Sequence, residues 1–206
     1  MTRVKICGIT SIEDAHNVAA AGADAIGLVF YAKSSRYVTP EQAAKICNAL
    51  PPFVTSVALF MNADAEQVND TLNKVKLDLL QFHGAESAEF CRSFNKPYIK
   101  AVGINGLKNF TEYADQYHDA LGILIDSHAL GKAGGTGETF DWTLLPKGYA
   151  KPIILAGGLT PDNVAEAIMQ TSVYAVDLSS GVESSSGIKS KVKINALMKE
   201  VNRIQA

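Results

Sequence analysis

Residues 152–181 read PIILAGGLTPDNVAEAIMQTSVYAVDLSSG, and this stretch contains one complete structural unit. A short aliphatic segment, PIILA, ends in two glycines, and a second segment, YAVDLSS, ends at Gly181. Between the two segments, Thr160 and Pro161 form a helix-start signal, in which an N-cap residue precedes a proline at the first helical position. The stretch therefore predicts a strand, a helix and a second strand, with a glycine-containing loop after each strand.

The same kind of apolar segment recurs along the whole chain. Each segment is brief, is rich in aliphatic or β-branched residues, and is bounded by Gly, Pro, Asp or Asn, as expected for a buried strand. The eight segments, in chain order, are VKIC, DAIGLVF, VTSVALF, LDLLQF, PYIKAV, GILID, PIILA and YAVDLSS.

Helical patterns lie between most of these segments. Val68, Leu72 and Val75 fall at positions i, i+4 and i+7, and the last stretch repeats this spacing more strongly with Ile194, Leu197, Met198 and Val201. Thr39-Pro40 gives the same start signal as Thr160-Pro161. The sixth unit is the weakest, because AGGTGETFDW leaves room for only a short helix around residues 141–145.

Eight strand–helix units at intervals of roughly 20 to 30 residues predict an α/β protein, a closed parallel (β/α)₈ barrel of the TIM-barrel type. No linker or low-complexity block interrupts the pattern, so residues 1–206 are expected to form a single domain. An open doubly wound sheet is the alternative. That fold usually carries a GxGxxG turn after its first strand, and CGITS does not match it.

Composition narrows the class of protein further. The chain has 206 residues, 47% of them hydrophobic, and a net charge of −2, so it has no large basic face for nucleic acid. It shows no signal peptide and no apolar run of the ~18 residues needed to span a membrane. The three cysteines form no CxxC pair, which predicts a reducing, cytoplasmic setting with neither disulfides nor a structural metal site.

A barrel of this type carries its active site at the carboxyl ends of its strands, and several chemically capable residues fall there. Cys7 ends the first strand, Asp126 ends the sixth, and Arg36 lies in the loop after the second. The remaining candidates, in order along the strand ends, are Gln81, His83, Gly157, Gly158, Asp177, Ser179, Ser180 and Gly181.

The segments AGG, at 156–158, and SSG, at 179–181, predict a phosphate site. In this fold, a phosphate commonly lies between the loops after strands seven and eight, where glycines let backbone N–H groups approach an anion. The loop GKAGGTG, which contains Gly135, is a third glycine-rich segment that can close over the same group. Each segment alone is more typical of an ordinary turn, but their combination at the right strand ends favours the phosphate.

The other candidates are equally ordinary when considered singly. A lone cysteine is most often a small buried residue, a lone arginine a surface charge, and a lone histidine a structural hydrogen-bonding group. Together, a thiol and a carboxylate facing each other across a barrel mouth predict a paired acid and base. The phosphate site and a guanidinium predict a small phosphorylated substrate with a second anionic group.

The sequence resembles the phosphoribosylanthranilate isomerase family of the tryptophan pathway along nearly its whole length. Seven motifs carry this resemblance: KICGIT (5–10), GLVFYAKSSRYV (27–38), QFHG (81–84), LIDS (124–127), GGTG (134–137), ILAGGLTPDNV (154–164) and VDLSSGVES (176–184). The resemblance implies an Amadori rearrangement of N-(5-phosphoribosyl)anthranilate to 1-(2-carboxyphenylamino)-1-deoxyribulose 5-phosphate without a cofactor or metal. A small phosphosugar is the implied partner, and the oligomeric state, monomer or homodimer, stays open.

The resemblance also implies roles for individual residues. Asp126 matches the family's general acid, which protonates the ribose ring oxygen. Cys7 matches the general base, which removes the C2′ proton. Arg36 matches the residue that binds the anthranilate carboxylate, and the phosphate falls on the glycine-rich ends of strands seven and eight.

Two expectations concern the charges around these groups. A free thiol has a pKa of about 8.5, so a cation near Cys7 would increase its thiolate fraction. Lys5 lies on the same face of strand one, and strand eight is its neighbour in a closed barrel, so we expect Lys5 and Asp177 to pair below Cys7. Asp126 must hold its proton near neutral pH, which an apolar strand end favours.

Two other functions are compatible with parts of the pattern. A histidine-pathway sugar-phosphate isomerase performs the same rearrangement on a similar barrel, but that family has an aspartate where this chain has Cys7. A non-catalytic phosphosugar sensor would need the phosphate loops but would have no use for Cys7 and Asp126.

Overall fold

The computed structural model describes residues 1–129 and 140–204, and eight parallel strands within these ranges close into a barrel. The strands follow chain order around the barrel, and β8 pairs with β1 to close it, with Lys5 opposite Asp177. Their bounds are β1 Arg3–Cys7, β2 Ala25–Val29, β3 Thr55–Phe60, β4 Leu79–Phe82, β5 Tyr98–Asn105, β6 Gly122–Ala129, β7 Ile153–Leu155 and β8 Ala175–Leu178. The predicted (β/α)₈ architecture is thereby confirmed.

Helices follow most of the strands, as the apolar spacing predicts. Within the described residues they are α1 Ile12–Ala20, α2 Pro40–Ala49, α3 Ala65–Lys74, α4 Ala88–Arg92, α5 Phe110–Ala114, α6 Val164–Thr171 and α7 Lys191–Arg203. The short helix expected around residues 141–145 is a single 3₁₀ turn, Trp142–Leu144, capped by the side chain of Asp141. A small antiparallel hairpin, β9 Glu183–Ser185 and β10 Ile188–Lys189, follows the last barrel strand. None of the described helices is long and apolar enough to cross a membrane.

The two helix-start signals have different outcomes. Thr39 caps α2 as expected, since its side chain accepts a hydrogen bond from the Gln42 N–H and Pro40 is the first helical residue. The prediction for Thr160-Pro161 is wrong, because α6 begins only at Val164. Residues 161–163 form a turn instead, in which the Thr160 hydroxyl accepts from the N–H of Asp162 and the Thr160 carbonyl accepts from the N–H of Val164.

Strand alternation separates two apolar layers. On β6, Ile123 and Ile125 belong to the large cluster packed with the helices, whereas Leu124 belongs to a small cluster inside the barrel. The inward phase of this strand continues to Asp126. The same alternation on β1 and β8 places Lys5, Cys7 and Asp177 on the inward side, so the polar groups lie above a compact apolar plug at the barrel mouth.

Candidate active site

A cavity of about 310 Å³ opens at the carboxyl ends of the strands. Its lining includes Cys7, Arg36, Gln81, His83, Asp126, Gly157, Gly158, Asp177, Ser179, Ser180 and Gly181. The structure therefore brings together the candidate residues that sequence alone placed at separate strand ends. The remaining candidate, Gly135, lies outside the described residues.

Cys7 owes its position to a glycine on the neighbouring strand. Gly27 is its pairing partner on β2, and a Cβ atom at Gly27 would lie 2.6 Å from the Cys7 sulfur. The missing side chain therefore provides the space that the thiol occupies. Directly after Cys7, the N–H groups of Gly8 and Ile9 both donate to the Gly27 carbonyl, and Gly8 adopts a φ of +77°, which ends the strand.

Lys5 and Asp177 form the ion pair expected beneath the thiol. The Lys5 Nζ and the Asp177 Oδ1 are 2.9 Å apart, and both side chains are buried. Burial opposes the charge of Lys5, but the carboxylate of Asp177 and the neighbouring Cys7 together outweigh it and raise the pKa of the lysine. The hypothesis of a buried pair is thus confirmed.

The pair does not lower the pKa of Cys7 below its ordinary value. Burial raises the pKa of Cys7, and the charge of Lys5, which lowers it, does not compensate. The expectation that a nearby cation favours the thiolate is therefore right in direction, but the effect of the cation is smaller than that of burial. The desolvation of Cys7 comes from the same packing that positions it.

We expect strong energetic coupling between Lys5 and Asp177. Lys5→Met leaves the charge of Asp177 buried without a partner, and Asp177→Asn leaves that of Lys5. Each single variant should therefore lower the free energy of unfolding by roughly 3–5 kcal/mol. The double variant should lose less than the larger single loss. Chemical denaturation of the four proteins measures this double-mutant cycle.

The exposed pair Arg3–Asp24 is a control for this cycle, because it joins β1 to the residue before β2 at 2.6 Å but is largely in water. It should show little coupling. Additive losses at Lys5 and Asp177 would mean that the buried pair contributes no specific interaction.

Asp126 lies at the end of a line of polar groups from β4. The Gln81 Nε2 is 3.2 Å from the His83 Nδ1, and the His83 Nε2 is 3.5 Å from the Asp126 Oδ2. With the amide of Gln81 donating to Nδ1, the imidazole carries its proton on Nε2, facing Asp126. The Asp126 Oδ1 also accepts from the Ser127 hydroxyl at 3.3 Å. This carboxyl group is therefore held by neighbouring donors while it lines the cavity.

A second buried ion pair supports the loop that carries His83. Lys100 and Glu86 are 3.1 Å apart and have almost no exposed side-chain surface. The carboxylate of Glu86 also accepts from the N–H groups of Asn62 and Gly84, at 2.7 and 2.9 Å. Neither member of the pair is among the residues singled out from sequence patterns, although a lysine inside the apolar strand PYIKAV is a usable signal.

The glycine-rich strand ends are tightly packed against one another. Gly157 and Gly158 have φ values of +87° and +64°, a region that favours glycine. A Cβ atom at Gly157 would collide with Ser127, and one at Gly181 would collide with the carbonyl of Leu159. The packing of Gly157 against Ser127 and of Gly181 against Leu159 therefore requires glycine at both positions.

Arg36 is fixed from outside the cavity by Glu183, which lies in the motif VDLSSGVES but is not among the candidate residues. The Arg36 Nε and Nη2 donate to the two carboxylate oxygens of Glu183 at 2.7 and 2.8 Å, which is a bidentate pair. Lys189 contacts the same carboxylate at 2.7 Å. Burial opposes ionisation of Glu183, but these two cations outweigh it and hold the pKa of Glu183 below its usual range.

Comparison with known proteins assigns a family to this arrangement. The family model for N-(5′-phosphoribosyl)anthranilate isomerase matches residues 4–200. The chain is 57% identical to the N-(5′-phosphoribosyl)anthranilate isomerase of Pseudomonas fluorescens over 201 residues, which are 98% of this chain and 96% of that protein.

Solved structures agree with this result. The phosphoribosyl anthranilate isomerase of Thermotoga maritima is 41% identical, with a TM-score of 0.88 over 98% of this chain and 100% of that one. A phosphoribosyl anthranilate isomerase in complex with reduced 1-(o-carboxyphenylamino)-1-deoxyribulose 5-phosphate is 39% identical, with a TM-score of 0.82 over the same shares. The chain therefore belongs to the N-(5′-phosphoribosyl)anthranilate isomerase family.

Proposed function

We propose that this chain catalyses the Amadori rearrangement of N-(5-phosphoribosyl)anthranilate in tryptophan biosynthesis, with Asp126 as general acid and Cys7 as general base. One observation carries the proposal: a buried thiol and a buried carboxyl group line one cavity, between a fixed arginine and a cradle of glycines. Membership of the isomerase family supports the same reaction.

The reaction needs one proton delivered to the ring oxygen and one removed from C2′, the two ring atoms bonded to C1′. Asp126 protonates the ribose ring oxygen, the bond from C1′ to that oxygen breaks, and a Schiff base forms between C1′ and the anthranilate nitrogen. Cys7 then removes the proton from C2′, and the electron pair of that bond moves to give an enol. A proton is then added at C1′ and the C2′ hydroxyl loses its proton, which yields the ketone, so the overall change is an isomerisation with no net oxidation.

The two ends of the substrate carry the anions that position it. The phosphate fits the cradle of Gly157, Gly158 and Gly181, and the Ser180 hydroxyl is a further donor, whereas the Ser179 hydroxyl donates to the Cys7 carbonyl at 3.0 Å. The anthranilate carboxylate fits the planar fork of Arg36. Gln81, His83 and Asp177 complete the wall between the two anchors, and we propose that they hold the central part of the substrate.

A fluorescence assay that follows loss of N-(5-phosphoribosyl)anthranilate tests the proposed function. The purified protein should deplete this substrate with saturation kinetics. Tight binding of a product analogue without turnover would instead indicate a phosphosugar sensor. Equal turnover of a histidine-pathway aminoaldose phosphate would indicate an enzyme with two substrates.

We further propose that residues 1–206 act as one domain in the cytoplasm. The closure of β8 onto β1 supports a single folding unit, because the two ends of the chain contribute adjacent strands. The three cysteines are free thiols, which supports a reducing compartment.

Arg36→Lys should impair recognition of the anthranilate end. The substitution keeps the positive charge but loses the planar fork, so kcat/KM should fall by roughly tenfold or more. With the aniline analogue of the substrate, which lacks the carboxylate, kcat/KM of the Arg36→Lys variant should differ little from that of wild type. Equal losses with both substrates would mean that Arg36 maintains the structure or binds another group.

The phosphate cradle should also bind simple tetrahedral anions. Inorganic phosphate or sulfate should inhibit competitively, and Gly158→Asp should raise KM by placing a carboxylate against the phosphate. Gly158→Asn is the matched control, since it has the same shape and tolerates the positive φ without the charge. A wild-type KM in the aspartate variant would place the phosphate elsewhere.

A further inference from the structure

We propose that Glu183 and Lys189 are positioning residues for substrate recognition: Glu183 orients the guanidinium of Arg36, and Lys189 keeps the cluster of three side chains cationic. This inference rests on the proposed function, because it assumes that Arg36 receives the substrate carboxylate. Neither residue lines the cavity, so both act through Arg36.

The contact with Glu183 uses one edge of the Arg36 guanidinium and leaves the other edge available for a ligand. An arginine has five N–H donors on two usable edges. Glu183 takes Nε and one donor of Nη2, at 2.7 and 2.8 Å. In the described part of the chain, the guanidinium has no other hydrogen-bond partner, which leaves Nη1 and the second donor of Nη2 for a carboxylate. The arginine can therefore hold two carboxylates at once, one from the protein and one from the substrate.

The charges explain why a lysine accompanies this pair. Arg36 and Glu183 alone are neutral as a unit and would attract a second carboxylate weakly. Lys189, whose side chain is fully buried, contacts Glu183 at 2.7 Å and gives the cluster a net charge of +1. An incoming carboxylate then makes the cluster neutral instead of leaving an unbalanced anion at a partly buried site.

The β9–β10 hairpin fixes this cluster relative to the rest of the cavity. Ser186 at its tip and Ser35, beside Arg36, have their hydroxyls 2.7 Å apart. Lys189 also donates to the carbonyl of Ser179 at 3.2 Å, and the Ser179 hydroxyl donates to the carbonyl of Cys7 at 3.0 Å. The hairpin thus joins the carboxylate end of the site to the phosphate loop and to the strand that bears the thiol.

Steady-state kinetics with two substrates test the proposal. Lys189→Met removes the cation while filling a similar volume, so KM for N-(5-phosphoribosyl)anthranilate should rise about tenfold with little change in kcat. KM for the aniline analogue should stay within about twofold of wild type. Glu183→Gln keeps one accepting oxygen but loses the bidentate pair with Arg36, so KM for N-(5-phosphoribosyl)anthranilate should rise about threefold or more, while KM for the aniline analogue stays within about twofold of wild type.

Lys193→Met is the matched control. Lys193 also contacts Glu183, but it donates to the backbone carbonyl at 2.7 Å and not to the carboxylate, so its loss should leave both KM values unchanged. Equal rises for the two substrates in Lys189→Met or Glu183→Gln, or no rise at all, would overturn the inference.

A calorimetric measurement separates failure of this inference from failure of the proposed function. If wild type showed no turnover, binding of the reduced product analogue would still compare wild type with Lys189→Met. Weaker binding in the variant would support the cluster's role, and identical binding would overturn it.

Discussion

Cys7→Ala should reduce turnover of N-(5-phosphoribosyl)anthranilate by at least ~100-fold, the usual effect of losing a positioned base. The protein should fold normally, because alanine fits where the thiol is buried and the space left by Gly27 stays enclosed. The dissociation constant of a product analogue should change little, since the glycine cradle and Arg36 are intact. Single-turnover fluorescence and calorimetry measure the two quantities separately.

Cys91→Ala is the control for a buried thiol without a role in the reaction. Cys91 lies on α4 and is more completely buried than Cys7, but it does not line the cavity. Its replacement should affect stability and leave turnover near wild type. If Cys7→Ala also retained near-wild-type turnover, Cys7 would be a small buried hydrophobic residue and another group would be the base.

The pH dependence follows from the direction of the Cys7 pKa. A general base must be deprotonated, and burial raises the pKa of this thiol, so kcat/KM should still be increasing with pH above neutrality. The apparent values belong to the coupled acid and base and not to single residues. This increase should be absent from the residual activity of Cys7→Ala.

Much of the barrel could be predicted because each strand is identified by residues that are close together in the sequence. An apolar run bounded by turn residues identifies a strand, and strand alternation then determines which side chain points inward. The pairing of Lys5 with Asp177 needed one further step, namely that the first and last strands of a closed barrel are neighbours. These inferences require no knowledge of how side chains far apart in sequence pack.

The features that sequence patterns do not reveal depend on such packing. Glu183 reaches Arg36 across 147 residues, and nothing near Glu183 in the sequence indicates that its partner is an arginine. The shift in the Cys7 pKa depends on how completely the thiol is removed from water, which strand position alone does not fix. The start of α6 at Val164 follows a turn over residues 161–163, in which the Asn163 side chain accepts from the N–H of Thr160, and the Thr-Pro signal alone does not show this turn.

Asp126→Asn should reduce turnover on the same scale as Cys7→Ala, at least ~100-fold, because an amide cannot deliver a proton to the ribose ring oxygen. Asparagine has nearly the same shape, and its oxygen can still accept from the Ser127 hydroxyl. The fold and the affinity for a product analogue should therefore persist. Asp162→Asn, in the exposed loop before α6, is a control for the same chemical change outside the cavity.

The result for Asp126→Asn also distinguishes the acid from its neighbour. His83 lies 3.5 Å from Asp126 and is the only imidazole that lines the described part of the cavity, so it is the alternative proton donor. If His83 were the acid, His83→Asn would cause the larger loss and Asp126→Asn would retain substantial turnover. If Asp126 is the acid, His83→Asn should cause the smaller loss, because it removes a hydrogen-bonding neighbour but leaves the carboxyl group that carries the proton.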